Sequence, residues 1–177
     1  MVAVVEPVKR IVAILWRDAV ACAAASAALR DVWGDIDFSG SDHPFDCTDY
    51  YSAEMGEGLL RRIVSFDQLM APDRLAEAKL GSIAIERSMS AGERRRVNLD
   101  VGYLDDNKLV LASVKAAGQK IYLGQGIYAD LVARYRQRRY QPFEWTFPDF
   151  RDGRYDPELG RIRARYLEQL HAWRASW

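Results

Sequence analysis

The run Lys9–Trp16, KRIVAILW, constrains this chain more than any other segment. It is rich in β-branched residues and has the length of a strand. Ile11, Ala13 and Leu15 fall on one face, and Val12, Ile14 and Trp16 on the other. A strand that is apolar on both faces belongs at the centre of a sheet covered on both sides. A chain of 177 residues, 49% of them apolar, can bury such a sheet in one domain without disulfide staples.

The segments around it alternate in type. Asp18 offers an N-cap, an Ala-rich stretch runs to Trp33, and Gly34 offers a stop, which predicts a helix of about four turns. Residues 35–38 make a short strand. LLRRIVSF at 59–66 reads as a second apolar strand, and Pro72 and Asp73 open a helix that runs to about Ser90, with Gly92 beyond it. In RVNLDV (96–101), Val97, Leu99 and Val101 share one face while Asn98 and Asp100 share the other. The order β-α-β-β-α-β is that of the ferredoxin-like split βαβ motif. It predicts that the strands at 9–16 and 59–66 are adjacent and central, with 96–101 flanking the first.

The C-terminal half begins with KLVLASV (108–114), a turn at 116–119 and KIYL (120–123), read as a hairpin. Residues 126–140 fit a helix through Ile127, Leu131 and Tyr135, and fit strand alternation equally well. Residues 140–155 read as irregular. A final helix from Asp156 carries the stripe Leu159, Ile162, Tyr166, Leu170 and Trp173. The expectation is an α+β fold in a single domain: a ferredoxin-like βαββαβ core over 1–104, then a C-terminal β-hairpin extension and a final helix over 105–177 covering the open face of the sheet.

Charge narrows the function. Twenty-five basic and 25 acidic residues give a formal net charge of zero, which excludes a uniformly basic nucleic-acid coat. No apolar run approaches a membrane span, and no secretory leader is read before Arg17 and Asp18, so the expected setting is cytoplasmic. Cys22 and Cys47 form no CxxC pair, and Cys22 reads as a small core residue. Gly124-Gln125-Gly126-Ile127-Tyr128-Ala129 matches a dinucleotide fingerprint, but no βαβ unit follows it; a hairpin turn is the plainer reading. Asp42, His43, Asp46, Cys47 and Asp49 could in principle hold a metal, but their spacing matches no known loop and a solvated turn is preferred. Arg134, Arg136, Arg138 and Arg139 interleave with Tyr135, Tyr140, Phe143 and Trp145, a pattern that can hold RNA, but acidic residues follow closely and nucleic acid is not expected. No cofactor and no membrane partner are expected; a homo-oligomer is allowed.

One cluster promises a site. Residues 40–57 form a long loop whose Phe45, Tyr50, Tyr51 and Met55 argue for order. This loop should meet the strand at 96–101. Tyr50, Tyr51, Arg61, Asn98 and Lys115 are expected to bind a small polar ligand, with Arg61 and Lys115 on its anionic group and Asn98 orienting it. Glu54 or Asp100 would carry any proton transfer. A binding module and a small enzyme on an anionic metabolite both stay open.

The phrases PVKRIVAIL, DYYSAEMGEGLLRRIVSF, RRVNLDVGYL, KLVLAS, IYLGQGIYADL and EWTFPDFR together resemble one family over about residues 7–170. It is the uncharacterised bacterial family known as domain of unknown function forty-four sixteen. The resemblance implies a bacterial cytoplasmic protein and adds no mechanism. Val101 stands where the family pattern NLDPGYL has proline. Val114 and Ala116 replace polar positions, and Gln119 and Lys120 stand for His-Arg, so chemistry at those positions would be altered here. The family's version of 126–135 is richer in β-branched residues, which tips that segment to strand.

Overall fold

The computed structural model describes residues 4–90, 92 and 94–176. Two strands take their places at once. β1 (Lys9–Trp16) lies between β4 (Leu60–Phe66) and β5 (Val97–Leu104), antiparallel to both. The remaining strands are β2 (Ile36–Ser39), β3 (His43–Pro44), β6 (Lys108–Ser113), β7 (Ile121–Gly124), β8 (Ile127–Arg136) and β9 (Arg139–Pro142). Together they form one nine-stranded antiparallel sheet in the order β2-β4-β1-β5-β6-β8-β7, with β3 beside β4 and β9 beside β8. The helices are α1 (Ala19–Trp33), α2 (Ser52–Met55), α3 (Leu75–Ser88), α4 (Pro148–Arg151) and α5 (Asp156–Ala175).

Both faces of β1 are buried, as its pattern requires. Val12, Ile14 and Trp16 pack with Val97, Leu99 and Val101 against Leu29 and Trp33 of α1 and Ile85 of α3. Ile11 and Ala13 pack with Ile63, Leu104 and Leu109 against Leu159, Ile162, Tyr166 and Leu170 of α5. Leu15 joins Met55 and Leu59 in a small third cluster beneath the 40–57 segment. The helix ends follow their local chemistry. Asp18 accepts a hydrogen bond from Val20 N at 2.9 Å, and Gly34 ends α1 with φ of 87°.

Three expectations need correction. The strands at 108–114 and 120–123 do not form a hairpin, because β8 lies between β6 and β7 and pairs with each. The tight hairpin is β7–β8, closed by Gly124, Gln125 and Gly126 with φ of 107°, 54° and 77°; two glycines make this left-handed run inexpensive. The same turn explains the fingerprint-like GQGIYA: a strand, not a helix N-terminus, follows it. The C-terminal strands also do not cover the core sheet. They widen it edge to edge, and α4 and α5 provide the cover. Finally, the loop at 40–57 and the segment at 140–155 are not wholly irregular. The first holds β3 and α2, the second most of β9 and α4.

Candidate functional site

β5 is paired with β1 along its whole length, from Lys9↔Leu104 to Trp16↔Val97. Its other edge is paired with β6 only at Gly102, Tyr103 and Leu104. Past Gly102 the two strands part, and β6 continues with β8 alone through Ala112 and Ser113. Gly102 permits the close approach at the fork: a Cβ there would lie 2.2 Å from Val110 O. The exposed edge of β5 is satisfied by side chains of α3. Leu99 N–H donates to Glu86 Oε1 at 2.6 Å, and Lys79 Nζ donates to Leu99 O at 2.9 Å. A helix thus does locally what a neighbouring strand would do, and the gap stays open.

That gap is a cleft of about 810 Å3. Phe45, Tyr50 and Tyr51 form one wall, Ser113, Lys115, Lys120 and Asp130 another, and Arg61, Asn98, Asp100 and Asp149 line it from the sheet layer and α4. Asn98 and Asp100 face away from α1, as strand alternation with the buried Val97, Leu99 and Val101 demands.

Arg61 is the hub. Its side chain is 3% exposed; Nη1 donates to Asp149 Oδ2 at 2.5 Å and Nη2 to Asp100 Oδ2 at 2.9 Å, and Phe45 lies 4.4 Å away across its ring face. Tyr155 Oη donates to the same Asp149 oxygen at 2.9 Å. Burial, with Asp149 beside it, pushes the Tyr155 phenol far above its usual value, which keeps it a donor. Arg62, the next residue, faces the other way and grips Asp42 through two bonds of 2.7 and 2.8 Å.

The other cations are held differently. Lys120 reaches Asp130 at 3.3 Å and Ser113 Oγ at 2.9 Å. Lys115 donates to Tyr50 Oη and sits 3.9 Å from that ring's centre, and among the described residues it has no carboxylate partner. Arg95 holds Glu54 through two bonds of 2.6 Å and donates to Asn98 Oδ1 at 2.8 Å. The Arg95 hydrogen bonds keep the Glu54 carboxyl below its ordinary range. Burial instead raises Glu86, despite Lys79 nearby. The lining carries six cationic side chains against four carboxylates, so the cleft is positive although the chain is neutral. Among the described residues, four buried polar atoms on its walls have no hydrogen-bond partner: Arg61 Nε, Asn98 Nδ2, Asp130 Oδ1 and Asp149 Oδ1. Such atoms are uncommon in folded proteins and mark places where another molecule or water belongs.

Of the residues expected at a site, Tyr50, Tyr51, Arg61, Asn98, Asp100 and Lys115 line this one cleft. Glu54 does not; it lines an adjoining cavity and is joined to the cleft through Arg95. Nη1 and Nη2 of Arg61 are already held by two carboxylates, which leaves its Nε as the unpaired donor. Asp149, Asp130, Lys120, Arg95, Lys79 and Glu86 are not among the residues the sequence pointed to for this site. Asp130 was legible as one phase of the alternation in β8, and Arg95 as part of a basic run before β5. Asp149 lies 88 residues from Arg61 and gave no local signal.

In the 42–49 loop, Asp42 is held by Arg62, His43 lies 2.9 Å from Glu158, and Asp46 accepts from Arg154 at 3.0 Å. Among the described residues no group of three potential metal ligands comes together. In the 134–145 segment Tyr140 is buried, Arg163 of α5 lies 3.7 Å over Tyr135, and Trp145 is exposed and stacked on Phe143. Cys22 is a buried core thiol.

Residues 6–166 match the family model described as "Domain of unknown function (DUF4416)". No curated protein and no solved structure matches the chain.

Proposed function

The chain belongs to this family, and we propose that it is a small-molecule-binding module whose cleft between β5 and β6 takes a polar, anionic metabolite. One observation carries the reading: a cleft of about 810 Å3 with aromatic walls, an excess of positive charge, and a lysine, Lys115, held among the described residues by Tyr50 and by no carboxylate. Aromatic surface with a few convergent polar groups is the usual composition of ligand sites. In this reading Lys115 meets the anionic group, Tyr50 and Tyr51 pack on the body of the ligand, and Asn98 orients it. Arg61 fixes Asp100 and Asp149. The module works as one domain on a ferredoxin-like core, supported by the order β2-β4-β1-β5, and in the bacterial cytoplasm. Among the described residues no helix is long and apolar enough to cross a membrane.

The test is a thermal-shift panel of nucleotides, sugar phosphates and organic acids on wild type and Lys115→Ala. A ligand at a hundred times its Kd adds about 2.7 kcal/mol, a rise of roughly 5–11 °C for a chain of this size. The proposal fails if no anionic compound shifts the wild type more than the variant. A small enzyme is the second reading. It is favoured by Asp100, whose side chain stays 23% exposed in the cleft while Arg61 holds one oxygen. Glu54 is the weaker candidate for proton transfer, since Arg95 holds it ionised. Turnover lost in Asp100→Asn with binding retained would establish that reading.

A further inference from the structure

Beyond Arg95 lies a second cavity of about 490 Å3, between the turn after β1, α2 and the approach to β5. Its walls carry four arginines, Arg17, Arg94, Arg95 and Arg96, against two carboxylates, Asp18 and Glu54. Both carboxylates are already engaged. Asp18 accepts from Arg96 while capping α1, and Glu54 is held bidentately by Arg95. Arg17 and Arg94 have no ion-pair partner among the described residues. In a chain of zero net charge, two unpaired guanidinium groups on one small cavity are a local excess that calls for an anion.

Arg17 is exposed and reaches back over α2. Its guanidinium lies over Gly56, where a Cβ would come within 2.6 Å of Nη1, and Gly56 itself has φ of +85°. Glycine adopts that conformation at the end of α2 without strain. A planar guanidinium offers paired N–H donors that match phosphate oxygens better than a lysine does. Arg95 lines both cavities, joined to Glu54 on one side and to Asn98 on the other.

We propose that the arginine cavity is the phosphate subsite of the same ligand, which makes that ligand a phosphorylated metabolite with a second anionic group for Lys115. The inference rests on the cleft being a ligand site. Arg17 and Arg94 bind the phosphate, and Arg95, fixed by Glu54, joins the two subsites.

The experiment measures binding of inorganic phosphate by calorimetry to wild type, Arg17→Gln/Arg94→Gln and Lys115→Ala. Matched thermal melts verify that each variant folds; both arginines are exposed, so folding should survive. The expected result is phosphate binding that the double variant weakens at least tenfold and that Lys115→Ala weakens far less than the double variant does. Absence of phosphate binding by the wild type at 20 mM, or equal binding by the double variant, overturns the inference. If Lys115→Ala abolishes phosphate binding and the double variant does not, the phosphate belongs in the main cleft: the subsite is wrong while the cleft reading stands. The converse, phosphate bound at the arginines but no compound of the panel sensitive to Lys115, would sink the cleft reading and leave an isolated phosphate site.

Discussion

Replacing Arg61 by Met would test the charge arrangement under the cleft most directly. The change keeps the apolar stem and deletes the guanidinium. Asp100 can turn to water, because its side chain is already 23% exposed. Asp149 cannot: it is 0% exposed, and among the described residues only the Tyr155 hydroxyl at 2.9 Å would still donate to it. Removing one partner of a buried ion pair costs about 3–5 kcal/mol, because the other charge is left uncompensated. That is a large part of the roughly 5–15 kcal/mol available to a whole domain, and corresponds to a fall in Tm of roughly 6–20 °C. Urea unfolding followed by tryptophan fluorescence should show the loss as a lower midpoint at unchanged slope. The double variant Arg61→Met/Asp149→Asn removes the stranded charge yet keeps an acceptor for Tyr155. It should recover more than half of the loss. The reasoning is refuted if the single variant costs under about 1 kcal/mol, or if the double variant is no more stable than the single.

Gly102→Ala should destabilise by about 1–3 kcal/mol or more, since its Cβ would meet Val110 O at 2.2 Å and Leu111 Cα at 3.0 Å at the fork; faster amide exchange in β6 would localise the damage, and a neutral substitution would contradict it. Glu54→Gln should cost less than about 1 kcal/mol at pH 7, as partly exposed pairs do. Because Arg95 lowers the Glu54 pKa below 4.5, its contribution is complete above that value and disappears as the pH falls through the folded pKa; Tm against pH should therefore converge for wild type and variant in acid, and a difference that widens there would be wrong in sign. Asp42→Asn breaks an ion pair whose partners are 35% and 30% exposed, so its Tm should drop by no more than about 4 °C, the equivalent of about 1 kcal/mol.

Much of the local structure could be read directly from the chain. The two-faced apolar pattern of residues 9–16 placed β1 at the middle of the sheet, since no other position buries Ile11 and Val12 together. Asp18 and Gly34 bounded α1 because a side-chain acceptor and a left-handed residue act within one helical turn. Alternation in 97–101 put Asn98 and Asp100 on one face, and the aromatic residues of the 45–51 segment marked a loop that had to pack on something. These signals are local, and they act whatever the rest of the chain does.

The pairing of strand edges is of a different kind. β6 and β7 are successive strands, yet β8 separates them, because loop closure costs only slightly more for a longer connection and the ten residues of β8 can pair on both edges at once. The parting of β5 from β6 depends on Lys79 and Glu86 reaching Leu99 from another element, and the hub at Arg61 depends on Asp149, brought in by a four-residue helix far along the chain. The sequence by itself thus determined which segments are strands and helices and which side chains face the same way. Tertiary structure alone decided where the sheet opens and which charges meet there, because buried charges and strand edges are satisfied by whichever partners the packed core brings within about 3 Å, and that choice leaves no period or spacing in the sequence.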